Sequence, residues 1–173
     1  MCGIVGYVGN DAPQGIIIEG LKKLEYRGYD SAGIAVVNDG KIQLRKHVGA
    51  IVNLEKLIGK ENLGGHVGIG HTRWATHGAP SDVNSHPHMS NDNRIALVHN
   101  GTVENYVEIR TELEKEGFTF KSDTDSEVAA VLFGKYYNEL GDLKATMDKV
   151  TRKMTGTFAL AAIAEDQPEK FVA

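Results

Sequence analysis

MCGIVGYVG, residues 1–9, places the single cysteine of a 173-residue chain at position 2. Chain ends are loosely held unless a strand ties them down. Here Ile4, Val5, Tyr7 and Val8 form a short apolar run between Gly3 and Gly9, the pattern of a buried strand that would keep Cys2 close to the core. Taken alone, an isolated cysteine is a small hydrophobe. A chemical role for Cys2 has to be supported by the rest of the chain.

Composition narrows the classes. A chain of 173 residues suits one domain that buries about 70 % of the surface its unfolded form exposes, so neither disulfide nor metal is needed for folding. One cysteine excludes an intrachain disulfide. No stretch of about 18 uninterrupted apolar residues and no basic segment followed by an apolar one is present, so a cytoplasmic protein with no membrane partner is expected. The net charge of −4 is spread without a basic run, which argues against nucleic acid and favours a small neutral or zwitterionic substrate.

Outward from the first strand, Asp11 and Pro13 predict a helix start, with Ile17, Leu21 and Leu24 on one face. Ile34–Val37 and Lys41–Arg45 flank Asn38-Asp39-Gly40, a hairpin signal. A short helix is predicted from Val52 to Ile58 and strands at Val67–His71 and Ile95–His99. Between those strands, Thr76–Asn93 is too long for a plain connector and reads as a functional loop. Val107, Ile109 and Leu113 predict an amphipathic helix within 104–116, and Phe118–Phe120 a brief strand. Apolar helices follow from Asp125 or Ser126 through Tyr136 and from Leu143 to Met154. Thr157–Ala164 predicts a central strand, and Lys170–Ala173 begins another before the chain stops, as in a piece of something longer. Helices between strands imply stacked sheet and helix layers.

Six of the seven histidines lie between His66 and His99, which raises a metal site. The spacing has no HExxH, no CxxC and no adjacent carboxylate cluster, so no metal is expected, and His86-Pro87-His88 reads as a rigid turn. GGHVGIGH has the wrong glycine order for a dinucleotide or phosphate loop, and close backbone packing accounts for its glycines.

Four segments are informative together: MCGIVG at the start, YRGYDSAG at 26–33, HTRWATHG at 71–78, and HNG at 99–101 with TDSE at 124–127. In this order, over nearly the whole chain, they resemble the class II glutamine amidotransferases. Tyr29 and Trp74-Ala75 resemble the branch that aminates fructose 6-phosphate more than the purine-pathway branch. The resemblance implies an α+β fold of the N-terminal-nucleophile hydrolase type, a four-layer α/β/β/α sandwich with two mainly antiparallel sheets. It implies that residues 1–173 are a glutaminase domain, with C-terminal sugar-isomerase-type domains absent and the full-length enzyme a homodimer.

The same resemblance implies the site. Met1 is removed, and Cys2 becomes a nucleophile carrying its own α-amine as base. Asn100 and Gly101 form the oxyanion hole. Arg73 and Asp125 hold the α-carboxylate and α-ammonium of L-glutamine, a guanidinium being suited to a planar carboxylate. Trp74, Thr76 and His77 lie over the substrate, and Arg27 with its loop supports the nucleophile. No cofactor is implied. Each residue has a plainer reading: HNG as a strand-to-helix turn, Arg73 as a surface arginine, Asp125 as a helix N-cap, Trp74 as a packed aromatic. A non-catalytic glutamine-binding module is the alternative from another class.

Overall fold

The computed structural model describes residues 2–75 and 78–173. One antiparallel sheet contains β1 (Gly3–Val8), β2 (Ser31–Asn38), β3 (Lys41–Val48) and β4 (Val67–Arg73), in the order β1-β4-β2-β3. The other contains β5 (His88–Met89), β6 (Ile95–Val103) and β7 (Gly156–Ala164), with β6 in the middle. Helices α1 (Pro13–Leu24) and α2 (Ile51–Ile58) cover the outer face of the first sheet; α3 (Tyr106–Lys115), α4 (Asp125–Leu140) and α5 (Leu143–Lys153) cover that of the second. Between the sheets, Ala35, Val37, Val67 and Ile69 meet Ala96, Val98, Ala161 and Ile163. These are the four layers and the α+β class expected from the sequence.

Strand alternation decides which side chains reach the site. In β4, Val67 and Ile69 face the second sheet, while Gly70 lies under α1, where a Cβ would stand 2.4 Å from Ile17. Continuing the period of two, His71 and Arg73 fall on the intersheet face. In β6, Ile95 and Leu97 pack on the helices and Ala96 and Val98 on the first sheet, so Asn100 falls on the intersheet face and His99 turns towards α4. In β1, Val5 and Tyr7 pack against the α1 side and Ile4 lies between the sheets, a face that Cys2 continues. Cys2, His71, Arg73 and Asn100 thereby project into one end of the intersheet layer.

Several elements differ from the sequence reading. The N-cap of α1 is Ala12, with Pro13 in the first turn, and Asp11 instead gives its main-chain N–H to Tyr7 Oη at 3.3 Å. In α3, Val107 is exposed, and the buried face is Ile109 and Leu113 with Tyr106 beside them. Phe118–Phe120 is not a strand: the side chain of Asn91 donates to Thr119 O and accepts from Thr119 N, both at 2.8 Å, replacing a partner strand with one carboxamide. Strand β7 lies at the edge of its sheet, its far side covered by a single bridge from Ala162 to Val172, all that forms of the strand expected at 170–173. Its apolar second half reflects burial on both faces. The hairpin of β2 and β3 turns at Asp39 and Gly40, with φ of 49° and 70°, as its sequence predicts.

Candidate active site

A cavity of about 530 Å³ opens at the shared end of the two sheets. Its wall brings together seven of the sequence-predicted residues, namely Cys2, Arg27, Arg73, Trp74, Asn100, Gly101 and Asp125. Thr76 and His77 lie outside the described residues. Sequence reasoning missed His86, His99, Ser126 and the β7 segment Thr157–Ala159, which also line the cavity. His99 reaches the cavity from the α4 side, beside Ser126 and Asp125, and β7 contributes through its register opposite Asn100 and Gly101; both are long-range placements that only the pairing and packing reveal.

The thiol is held by main chain. Cys2 Sγ accepts the N–H of Trp74 at 3.2 Å and lies 3.5 Å from Trp74 O. The segment 73–75 is itself clamped by the YRGYDSAG loop. Asp30 donates its N–H to Arg73 O at 3.0 Å and accepts that of Ala75 on its carboxylate at 2.7 Å. Tyr29 stands edge-on to Trp74 with ring centroids 5.5 Å apart, both rings remaining largely exposed at the mouth. The loop thus supports Cys2 through the strand end it grips.

Arg73 is 4 % exposed, so it is not a surface arginine; its Nη2 donates to Gly78 O at 3.0 Å. Burial lowers its pKa, opposed by the negative potential of Cys2, Asp30 and Asp125. Asp125 does not cap α4. Thr124 does, its hydroxyl accepting the N–H of Glu127 at 3.1 Å. The carboxylate of Asp125 instead reaches β6 and accepts the N–H of Val103 at 2.9 Å, with His99 Nδ1 3.9 Å away. HNG is no turn either. Asn100 and Gly101 lie within β6, and Asn100 Nδ2 donates to Cys2 O at 3.2 Å.

Behind this wall lies a histidine stack. His71 and His86 are parallel at 4.0 Å between centroids, and His88 meets His86 edge-on at 4.8 Å. His86 Nδ1 accepts the N–H of His99 at 3.2 Å, and His88 Nε2 pairs with Thr124 Oγ1 at 3.1 Å. Lys46 fastens the loop beneath, donating to Ser85 O at 2.7 Å and to Val83 O and Pro87 O at 3.3 Å; burial lowers its pKa to about 8. Among the described residues, no group of three His, Cys, Asp or Glu is arranged to hold a metal ion.

Burial lowers the pKa of His71 to about 4 and moves His86 and His88 in the same direction. Above pH 6.5 these rings are neutral folded or unfolded. As pH falls below 6.5 the unfolded chain takes up protons that the folded chain refuses, so stability is expected to drop towards pH 4, by on the order of 3 kcal/mol from His71 alone. Denaturant unfolding at pH 7.5, 6 and 5, above the range of most carboxylates, checks this. A flat profile there would contradict neutral burial of the stack.

A cysteine at the head of the first strand, facing a carboxamide, a guanidinium and a carboxylate across stacked antiparallel sheets, is the arrangement of the class II, N-terminal-nucleophile amidotransferases. The family model for the glutamine amidotransferase domain matches residues 60–173, and the chain belongs to that family. The chain is 54 % identical over 173 residues to the glutamine–fructose-6-phosphate aminotransferase (isomerizing) of Clostridium perfringens, covering 100 % of itself and 28 % of that protein. It is 48 % identical over 172 residues to the enzyme of the same name from Aquifex aeolicus, covering 99 % of itself and 29 % of the relative. It therefore spans less than a third of these relatives. Among solved structures, the glutamine phosphoribosylpyrophosphate amidotransferase of B. subtilis superposes with a TM-score of 0.78 at 28 % identity, covering 94 % of this chain and 35 % of that one. A structure of the allosteric regulatory enzyme of purine biosynthesis gives 0.79 at 29 %, with the same coverage. Among the described residues no helix is long and apolar enough to cross a membrane.

Proposed function

We propose that this chain hydrolyses L-glutamine to glutamate and ammonia, with Cys2 as nucleophile. The supporting observation is the convergence of a thiol, a buried guanidinium, a buried carboxylate and a carboxamide on one cavity of about 530 Å³. Free glutamine carries a carboxylate and an ammonium at one end and the reacting carboxamide at the other. Arg73 and Asp125 bind the charged end, Trp74, Thr76 and His77 complete its pocket, and Arg27 supports the nucleophile's side.

Loss of Met1 frees the α-amine of Cys2. An amine of pKa about 7.7–8 beside a thiol of about 8.5 is a matched local base near neutral pH. The amine takes the thiol proton and sulfur attacks the carboxamide carbon. The carbonyl electrons move onto oxygen, where Asn100 Nδ2 and the Gly101 N–H stabilise them. Collapse breaks the C–N bond, the ammonium returns its proton to the departing nitrogen, and ammonia leaves a γ-glutamyl thioester. Water, deprotonated by the same amine, then releases glutamate and restores the thiol. No metal or cofactor takes part.

Residues 1–173 act as one glutaminase domain in this reading. In the complete protein the ammonia converts fructose 6-phosphate to glucosamine 6-phosphate on separate sugar-isomerase-type domains. Identity of 46–54 % to relatives of that name, against 28–29 % to the solved phosphoribosylpyrophosphate amidotransferase and purine-biosynthesis enzyme, supports that acceptor. By the same resemblance the complete enzyme is a cytoplasmic homodimer.

An assay of glutamate release by the Met1-free chain tests the hydrolysis directly; glutamine bound but never hydrolysed would favour a sensing module instead. Arg73→Lys and Asp125→Asn are each expected to raise KM for glutamine by about 10- to 100-fold, the loss of a charged hydrogen bond, with a smaller effect on kcat. A fall in kcat at unchanged KM would remove them from substrate binding.

A further inference from the structure

His71 is nearly fully buried on the intersheet face, one strand away from the nucleophile's strand end, and no step of glutamine hydrolysis above uses it. Its hydrogen bonds are nevertheless selective. Nε2 lies 3.1 Å from the main-chain carbonyl of His99 and 2.8 Å from Oδ1 of Asn100. A carbonyl only accepts, so Nε2 carries the hydrogen, and the Asn100 atom that faces it must be the oxygen. With the carboxamide turned over, two N–H groups would oppose each other at His71 and two oxygens at Cys2, where Asn100 Nδ2 now donates to the main-chain carbonyl at 3.2 Å. A carboxamide nitrogen has two hydrogens, so one remains for the cavity.

The tautomer that performs this orientation is held at a cost. Its other nitrogen, Nδ1, is buried with no hydrogen-bond partner among the described residues, a penalty that an apolar side chain would not incur. The ring is clamped from behind by His86, stacked at 4.0 Å and 13° between planes. His86 is fixed in turn by the N–H of His99. A packing role alone explains neither the unpartnered nitrogen nor the aim of the other at Oδ1.

We propose that His71 is a positioning residue for acyl transfer: its neutral Nε2–H holds Oδ1 of Asn100 and thereby presents the Nδ2–H to the oxygen that becomes negative. This rests on the reading of Asn100 as an oxyanion donor. Burial keeps the imidazole neutral over the working pH range.

The test compares His71→Phe, which keeps a ring for stacking, with Asn100→Ala and the double variant, measuring kcat, KM and the rate at which iodoacetamide alkylates Cys2. Alkylation forms the S–C bond as iodide leaves a saturated carbon, so it builds no oxyanion and reports only the thiol. His71→Phe is expected to lower kcat by about 10- to 100-fold with KM and alkylation little changed. Once Asn100 is alanine, the His71 substitution should lower kcat no further, because the two act as one unit. His71→Gln, which retains a side-chain N–H, should recover part of the loss, and it carries the same cycle if the phenylalanine variant does not fold. Unchanged kcat in the His71 variants beside a low kcat in Asn100→Ala would overturn the role of His71 alone. Unchanged kcat in Asn100→Ala would overturn the oxyanion reading itself. Equal losses of turnover and alkylation, or additive losses in the double variant, would show a structural effect and likewise overturn the proposal.

Discussion

Cys2→Ala is expected to fold with an unchanged melting temperature and to release no measurable glutamate. The side chain is half-buried and its recorded polar contacts are with the main chain of Trp74, so removing sulfur leaves the sheet intact. Among the described residues of the cavity wall Cys2 is the one thiol, and the others that carry a side-chain O–H are alcohols, far less acidic. Ser126 lies there, but its hydroxyl is tied to His99 Nδ1 at 2.8 Å in the helix-side layer. Cys2→Ser should fail as well, since a hydroxyl is far less acidic than a thiol and the α-amine cannot ionise it. Steady-state glutamate release measures both variants; turnover within tenfold of wild type in either would refute a covalent mechanism through Cys2. The same logic covers the chain end. If Met1 is retained, the nitrogen of Cys2 is an amide and no base, so mass spectrometry of an active preparation should find Met1 gone.

The legible features were those in which one short stretch of sequence determines a local structure. The Asp39-Gly40 turn, Pro13 at a helix start and the apolar run of β1 each fix a dihedral angle or a period, and each was found where expected, except that β1 is an edge strand with only Gly3 buried and not the buried strand its run suggests. The site was legible for a different reason: its parts come from four short segments whose residue types make sense only together, with Cys2, Arg73, Asn100 and Asp125 meeting at one cavity. Long-range substitutions were not legible. A carboxamide from residue 91 standing in for a strand beside Thr119 leaves no trace in the local pattern, nor does Asp125 bypassing its own helix to hold Val103. His71 was read only as part of a cluster, because its partner is 29 residues away and the intersheet parity appears once β4 and β6 face one another.

Gly101→Ala is expected to cost both stability and turnover. Gly101 sits within β6 at φ 113°, a region that L side chains rarely adopt, and a Cβ there would stand 2.0 Å from the carbonyl oxygen of Thr157 in β7. Strain plus this clash should lower stability by about 3 kcal/mol or more unless the two strands part. Parting would move the peptide that carries the Gly101 N–H, its neighbour Asn100, and Val103, to which Asp125 is bound two residues further on. Gly65→Ala separates the two consequences. Gly65 has φ 76° and a Cβ there would approach Val37 O to the same 2.0 Å, but it precedes β4 at the end opposite the cavity. Both variants should lose stability in urea unfolding. Per folded molecule, Gly65→Ala should keep the kcat of the wild type, while Gly101→Ala should lose about 100-fold or more, the scale of a misplaced oxyanion donor. Wild-type kcat in the folded fraction of Gly101→Ala would mean that the geometry at residue 101 serves the sheet and not the reaction.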